Sequence, residues 1–328
     1  MTFTTNFLQE KQPEMEREAK RRLRDLVVLV PSPFQGHVTP MLQLGHVLHS
    51  KGFSITVAHA RCNVPDPSNH PEFSFQGLGH SLSINLDGII KASDIGLKGR
   101  LETIYDMNEN CRVPLQEYLE EKGDVVSCII YDNLMFFVDQ VAVLLNLPSI
   151  VLRPSSAAYF PVLLHVLKHK HTLSSIPGLE EKERLIEDFE KRTRKRGRVV
   201  KWAPQKKVLA HGSVGGFWSH CGWNSTLESL GEGVPMICRP HFADQLVNSR
   251  LLIQEWKVGL ELEKVERGVI AETIRRLMVG DERKELKKNA MDMKQKLDDS
   301  FQKEEGTSNK AVNELTNFIS SISFKFPL

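Results

Sequence analysis

The sequence predicts an α/β protein in which parallel strands alternate with helices, arranged as two domains. Three observations lead to this prediction. Short β-branched apolar segments alternate with segments of helical apolar spacing. The chain of 328 residues has about the length of two ordinary domains, at ~150 residues each. Its hydrophobic content of 41% is sufficient to form cores, which argues against a disordered chain.

The first half of the chain begins the alternation with Leu26–Val30, a β-branched run typical of a strand buried on both faces. Val38–Ser50 follows with helical spacing, and Lys51-Gly52 supplies a helix stop. Further predicted elements are strands at Phe53–Ala58, Val125–Tyr131 and Ser149–Leu152 and a helix at Phe136–Leu145. In such sheets, ligands bind at the carboxyl ends of the strands.

A charge-rich stretch at residues 180–198 separates the two halves and predicts a linker or an exposed helix. We therefore expect a charged leader over 1–25, an N-terminal domain over 26–179 and a C-terminal domain over 199–328. Predicted elements of the second half are strands at Val199–Trp202, Val214–Trp218 and Val234–Cys238 and helices at Ser225–Glu232, Gln245–Gln254, Val269–Met278, Arg283–Phe301 and Ser308–Ile322.

Composition excludes several classes of protein. Lys+Arg is 43 and Asp+Glu is 41, so the net charge of +2 argues against a protein that coats nucleic acid or an anionic membrane. Five cysteines without a C-x-x-C pair indicate neither a disulfide framework nor a zinc site. No apolar stretch approaches the ~20 residues that span a bilayer, and acidic residues interrupt the basic N-terminus. We expect a cytoplasmic protein.

One block, from Trp202 to Gln245, combines residue types that suit a nucleotide sugar. Trp202 offers an aromatic face for a base, and Glu228 offers a carboxylate for ribose hydroxyls. Where a predicted strand meets a predicted helix, amide groups and the helix dipole favour a diphosphate. The residues at this junction are His220, Gly222, Asn224 and Ser225. Taken singly, these features are also compatible with a core Trp and an ordinary turn. Neither G-x-G-x-x-G nor G-x-x-x-x-G-K-[ST] occurs.

As a whole, the block WAPQKKVLAHGSVGGFWSHCGWNSTLESLGEGVPMICRPHFADQ resembles the signature box of plant family-1 UDP-sugar glycosyltransferases. The resemblance implies the GT-B fold, with two Rossmann-like domains facing a cleft, an N-terminal one for the acceptor and a C-terminal one for the UDP-sugar. It implies these contacts: Trp202, Ala203 and Gln205 with uracil; His220, Gly222, Asn224 and Ser225 with the diphosphate; Glu228 with ribose; Asp244 and Gln245 with the sugar. Gln245 is the residue that the family associates with UDP-glucose.

The loop before the first predicted helix also resembles the family and places His37 as the general base. An acceptor hydroxyl needs such a base, and a neutral imidazole can take its proton. Asp132 ends the run CIIYD and resembles the Asp that orients the base and stabilises its charged form. The alternatives are a His that caps a helix and, for the acid, Asp139, which we expect to be an exposed helix residue.

The implied reaction is a single displacement at the anomeric carbon with inversion, using UDP-glucose as co-substrate and neither a cofactor nor a metal. The sequence GFSITVAHARCNVPDPSNHPEF resembles the branch that modifies cytokinins, benzoxazinoids or terpenoid glycosides. We therefore expect a small hydroxylated or amine plant metabolite as acceptor and a role in secondary metabolism. Ser155, Ser156 and Phe160 are candidates for the acceptor pocket, or else an ordinary loop and helix start.

The chain departs from the family in length. Family members are longer by roughly 120 residues, close to one domain. The family pattern V-S-F-G-S does not occur here, so we expect a C-terminal domain that lacks its first strands. Missing strands expose a sheet edge through which the chain could self-associate. The alternative to an enzyme is a truncated or splice-variant homologue that binds nucleotide or a partner without turnover.

Overall fold

A computed structural model of the chain describes residues 25–62, 64–79, 97–159, 197–198, 200 and 202–322. Contacts divide the chain into two compact units. The first comprises Met1–Pro154 together with Lys310–Leu328, and the second comprises Ser155–Asn309. Each unit contains a parallel sheet covered by helices, as the alternating pattern predicts. Among the described helices, none has the length and apolar content needed to cross a bilayer.

The first unit is built on a five-stranded parallel sheet of order β3-β2-β1-β4-β5. Its elements are β1 Leu26–Val30, α1 Gln35–Ser50, β2 Ser54–Ala60, β3 Ser74–Leu78, α2 Leu97–Lys122, β4 Val126–Asp132, α3 Phe137–Leu144 and β5 Ser149–Leu152. β1 pairs with β2 on one side and with β4 on the other. Strands with two neighbours and two covered faces need apolar side chains throughout, which the sequence LVVLV supplies.

Two apolar layers enclose this sheet. On one face, Met107, Cys111 and Leu115 of α2 pack against β1 and β4. On the other face, Met41 and Leu48 of α1 pack against alternate residues of the same strands. The sheet therefore holds the loops that follow β1 and β4 on a rigid scaffold.

The second unit contains a three-stranded parallel sheet of order β6-β7-β8. Its elements are α4 Gln205–Leu209, β6 Phe217–Ser219, α5 Trp223–Gly231, β7 Met236–Cys238, α6 Asp244–Arg250, a π-helical turn Leu251–Glu255, β8 Gly259–Glu261, α7 Arg267–Met278 and α8 Gly280–Gln302. Leu230, Met236 and Ala290 contribute to the core on one face of this sheet, and Leu260 and Leu277 to the core on the other.

The last helix, α9 Thr307–Ile322, packs against the first unit. Leu315, Ile319 and Ile322 form an apolar stripe that joins the core cluster of α1, β1 and β2. The sequence predicts these residues as part of the C-terminal domain. Periodicity predicts that a helix is amphipathic but does not reveal which core its apolar face covers.

Some elements differ from the sequence-based prediction. β3, α2, α4 and β8 were not predicted. The strand predicted over Val199–Trp202 is not observed at Val200 or Trp202, and the other two residues lie outside the described ones. Most of the predicted linker, 180–198, also lies outside them. Asp132 is the last residue of β4 rather than the residue after it, because β4 continues to pair with β5 there.

Candidate active site

His37 and Asp132 meet at the carboxyl edge of the first sheet. His37 lies in the first turn of α1, directly beyond β1, and Asp132 ends β4. Because β1 and β4 are parallel neighbours, paired at Val30 and Tyr131, their following residues lie at the same edge. The His37 Nδ1 atom is 2.8 Å from Asp132 Oδ2. Neither residue is near the other in sequence, so the contact depends on the strand order.

The two side chains differ in exposure. Asp132 is fully buried, whereas 27% of the His37 side chain is accessible. A carboxylate accepts hydrogen bonds, so Nδ1 carries the proton in this contact and Nε2 carries the lone pair. Phe34 packs its ring edge-on to the imidazole at 5.9 Å between centroids. The arrangement presents one basic nitrogen on a ring whose orientation is fixed from behind.

The loop after β4 is held by Asp132 and Asn108. Asp132 Oδ1 accepts a hydrogen bond from the Leu134 amide at 2.9 Å. Asn108, which is fully buried on α2, donates to the Leu134 carbonyl at 2.8 Å and accepts from the Phe137 amide at 3.1 Å. Asn108 is not among the site residues predicted from the sequence. Its signal is a polar residue between Ile104 and Cys111 on the apolar face of a helix.

Asp139 is exposed on α3, as predicted, and the carboxylate that hydrogen-bonds His37 is that of Asp132. Burial raises the pKa of the Tyr131 hydroxyl, and the contact with Asp139 raises it further. Of the three candidate pocket residues, Ser155 is half-buried. Ser156 is buried, and its Oγ has no hydrogen-bond partner among the residues that the structure describes. Phe160 lies outside the described residues. The roles of these three remain predictions.

In the second unit, the turn between β6 and α5 brings the predicted diphosphate residues together. Gly222 precedes α5 in an extended conformation, and Asn224 and Ser225 lie in its first turn, which contains no acidic residue. The first turn of a helix directs amide groups and the positive end of the dipole towards its N-terminus. A Cβ atom on Gly222 would lie 2.4 Å from His220 Nε2, so glycine allows the imidazole to lie over the backbone.

His220 carries an electrostatic signature at this turn. Burial lowers the pKa of its imidazole, the nearby His241 lowers it further, and Asp244 opposes both. The ring is therefore neutral near pH 7 and can donate one hydrogen bond without an ion-pair partner. The preceding turn is fixed by the Cys221 amide, which donates to Ser219 Oγ at 3.1 Å. Cys221 itself has a positive φ of 63°.

The structure joins Gln205 to two other predicted site residues. Its Nε2 donates to Glu228 at 2.8 Å and to Ser225 Oγ at 3.1 Å, which links the start of α4 to α5. Trp202 is 68% exposed, so its ring is accessible for stacking, and Ala203 is half-buried. These hydrogen bonds thus join one residue from each of the three sets predicted to bind uracil, ribose and diphosphate.

Asp244 and Gln245 begin α6, and hydrogen bonds hold both side chains in place. Asp244 accepts from Asn248 Nδ2 at 2.9 Å, and the same nitrogen donates to the Cys221 carbonyl at 3.0 Å. Gln245 is buried, and its Oε1 accepts from the amides of His241 and Phe242. Its Nε2 is then the group with which Gln245 would bind a sugar hydroxyl. Asn248, which is not among the residues predicted from the sequence, positions Asp244.

Comparison with known families places these features in context. Residues 187–300 match the family profile described as UDP-glucoronosyl and UDP-glucosyl transferase. UDP-glycosyltransferase 76E1 of Solanum lycopersicum is 38% identical over 449 aligned positions, covering 90% of this chain and 92% of that protein. Flavonol 3-O-glucosyltransferase UGT76E12 of Arabidopsis thaliana is 29% identical, covering 94% and 99%.

The first alignment is longer than this chain, so the tomato relative has internal residues for which this chain has none. The shortening predicted from the sequence is therefore confirmed.

Solved structures show the same fold. Os79 of O. sativa in complex with U2F and a trichothecene superposes with a TM-score of 0.74 at 18% identity, covering 89% of this chain and 100% of that one. Phytolacca americana UGT2 in complex with UDP-2fluoro-glucose and pterostilbene has a TM-score of 0.73 at 22% identity, covering 90% and 99%.

Proposed function

Because this chain belongs to the plant UDP-glycosyltransferase family, we propose that it transfers glucose from UDP-glucose to a small plant metabolite with inversion of the anomeric carbon. The observation that carries the proposal is the 2.8 Å contact between His37 Nδ1 and Asp132 Oδ2. Base-catalysed transfer needs such a pair: an imidazole whose Nε2 can accept a proton and a buried carboxylate that accepts a hydrogen bond from Nδ1.

In the proposed reaction, His37 Nε2 accepts the proton of the acceptor hydroxyl or amine. The acceptor atom forms a bond to the anomeric carbon as the bond from that carbon to the UDP oxygen breaks. The imidazolium that forms is stabilised by Asp132, which is already within hydrogen-bond distance. The proton later leaves His37 to solvent through the exposed part of the ring.

The second unit would hold the donor. The first turn of α5 and the neutral His220 would bind the diphosphate and stabilise the charge that develops on the departing UDP. Trp202 would stack on uracil, and Glu228, held by Gln205, would bind the ribose. Asp244 and Gln245 would bind the sugar hydroxyls. These residues need neither a metal nor a cofactor for the chemistry, because the leaving group is served by dipoles and hydrogen bonds.

The nature of the acceptor is inferred from the relatives. The Arabidopsis relative is named a flavonol glucosyltransferase, and the two solved structures contain pterostilbene and a trichothecene. These molecules are small and hydroxylated, which supports an acceptor of the same class and a role in secondary metabolism. UDP-2fluoro-glucose in one of these structures and Gln245 in this chain both favour glucose as the sugar.

The test is an assay of the purified chain with UDP-glucose, or with UDP-galactose in parallel, against a panel of phenolic, terpenoid and cytokinin acceptors. We expect a mass increase of one hexose with UDP-glucose, and a β-linked product in the proton NMR spectrum. An α-linked product would contradict inversion, and equal rates with both donors would contradict glucose preference. An absence of transfer across the panel, together with no stabilisation by UDP in thermal unfolding, would reject the proposal as a whole.

Compartment and assembly are also proposals. All five cysteines are free and buried, which supports a cytoplasmic chain. In the described part of the second unit, β6 and β8 are edge strands of a short sheet, which supports self-association through an edge. A single monomeric mass across a concentration series in light scattering would contradict self-association.

A further inference from the structure

Three side chains outside the proposed site form a second cluster in the first unit. They are His46 on α1 and His70 and Glu72 in the segment before β3. The His46 Nε2 atom is 3.0 Å from His70 Nδ1, and the His46 Nδ1 atom is 2.6 Å from Glu72 Oε1. The donor atoms of all three lie within 4.8 Å of one another. The three groups thus form a chain in which His46 is the centre.

Neighbouring groups hold the two imidazoles in place. Phe73 lies 4.7 Å from the His46 ring and stacks parallel to the His70 ring, with centroids 5.7 Å apart. The backbone around His70 is fixed by two hydrogen bonds, from its own amide to the Pro67 carbonyl and from the Phe73 amide to its carbonyl. Side chains restrained in this way lose little conformational entropy when they bind a ligand.

We propose that this cluster binds a divalent transition-metal ion, with zinc as the reference ion, through His46 Nε2 and His70 Nδ1. Two nitrogens that bind one zinc ion at ~2.1 Å in a tetrahedral site lie about 3.4 Å apart. The observed 3.0 Å therefore needs only a small opening, in which the ion takes the place of the hydrogen bond. Water molecules complete the coordination, since 44% of the His46 side chain is accessible.

Glu72 completes the site from the other side of His46. A carboxylate that accepts a hydrogen bond from the second nitrogen of a ligating histidine fixes its tautomer and increases its basicity. The Glu72 carboxylate already occupies this position on Nδ1, which leaves the lone pair of His46 on Nε2.

The tautomer of His70 changes when the ion binds. Because Glu72 accepts from His46 Nδ1 and leaves a lone pair on Nε2, the 3.0 Å contact is a hydrogen bond that His70 Nδ1 donates. Ligation through Nδ1 therefore requires the proton of His70 to lie on its Nε2, which does not contact His46.

The ion would stabilise the fold rather than take part in transfer. His46 and His37 lie on the same helix, separated by about 13 Å at ~1.5 Å of rise per residue. The ion would connect the middle of α1 to the segment between β2 and β3. Binding to the folded chain raises the temperature of unfolding in proportion to the logarithm of the ion concentration.

The experiment is a calorimetric titration of the chelator-treated full chain with zinc chloride at about pH 7.5. Histidines elsewhere in the chain bind zinc as well, so the readout is the difference between variants. We expect His46→Ala and His70→Ala each to lose one zinc equivalent and part of the zinc-dependent rise in unfolding temperature. Glu72→Gln should keep the equivalent with an affinity weakened about tenfold or more.

His211→Ala is the matched control, because it removes an exposed histidine in the other unit. Circular dichroism of each variant without metal verifies that it folds, and His46→Gln replaces His46→Ala if the latter does not. Unchanged zinc stoichiometry in either His46 or His70 variants would overturn the proposal, as would an equal loss in His211→Ala. Transfer activity plays no part in the readout.

Discussion

Replacing Asp132 with Asn tests the charge behind His37 with the smallest change in shape. His37 Nδ1 and Asp132 Oδ2 are 2.8 Å apart. At this distance, an imidazolium and a carboxylate attract by about 6 kcal/mol at an effective dielectric of ~20 and by about 1.5 kcal/mol in water. Since 27% of the His37 side chain is accessible, screening favours the lower part of this range. We therefore expect Asp132→Asn to lose about 1.5–3 kcal/mol, the usual contribution of a hydrogen bond to a charged group. This corresponds to a rate of transfer about 10- to 150-fold lower.

The loss should fall on kcat rather than on the KM for UDP-glucose, because the imidazolium forms only as the acceptor loses its proton. Asn can also donate to Nδ1, which would place the proton on Nε2 and remove the basic lone pair. The assay is the initial rate of transfer at saturating donor, with thermal unfolding as a check on the fold. The Asn carbonyl can still accept from the Leu134 amide, so we expect only a small change in unfolding temperature.

Asp139→Asn is the matched control, since it neutralises an exposed carboxylate on the adjoining helix. We expect its kcat to stay within about twofold of the unmodified chain. The reasoning is refuted if Asp132→Asn keeps kcat within about threefold, or if Asp139→Asn loses as much activity as Asp132→Asn.

Three further predictions concern other residues. Gly222→Ala would place a Cβ atom 2.4 Å from His220 Nε2, so calorimetry should show UDP binding weakened about tenfold or more. Gly231→Ala is the control and should bind UDP normally, because a Cβ atom at Gly231 would meet open space. Asn108→Ala removes the partner of the Leu134 carbonyl and of the Phe137 amide, so urea unfolding should show a free energy of unfolding lower by about 2–4 kcal/mol. A decrease below ~0.5 kcal/mol would contradict the role given to Asn108. Burial lowers the pKa of His59, so below about pH 6.5 the unfolded chain binds more protons than the folded chain, and stability falls with acidification. His59→Gln should therefore lessen the fall in unfolding temperature between about pH 7.5 and 5.5. An unchanged fall would exclude His59 as its cause.

The parts of the fold that could be predicted are those with a strong local pattern. Leu26–Val30 is apolar throughout and Val126–Asp132 is buried throughout, because both are central strands, and the sequence predicts their ends to within one residue. That β1 pairs with β4, and so joins His37 to Asp132, is a matter of topology. Local periodicity does not specify strand order. The expectation that His37 and Asp132 meet therefore came from the family resemblance.

The missed elements have weak local patterns. β3 has the sequence SFQGL, with only one fully buried position, and β8 has three residues, GLE. Each is a strand because it adds to the edge of a sheet, not because its sequence favours one. The packing of α9 against the first unit likewise joins residues that lie far apart in the chain.

Within the candidate site, the residue types were predictable and their supporting hydrogen bonds were not. The bridge from Gln205 to Glu228 and the link from Asn248 to Asp244 and Cys221 join different helices and a turn. The sequence predicts that Gln245 contacts a sugar, but it does not predict that Oε1 of this side chain accepts hydrogen bonds from the backbone of its own loop. Such bonds depend on the tertiary fold, which spacing along the chain does not specify.

The most direct test of the account is the behaviour of His37→Ala with an acceptor that the unmodified chain glucosylates. We predict that transfer is lost while UDP still raises the unfolding temperature as much as it does in the unmodified chain. The first result would assign the proton acceptor, and the second would show that the donor unit is intact. Transfer at the unmodified rate in His37→Ala would contradict the role of His37 as the base and, with it, the proposed mechanism.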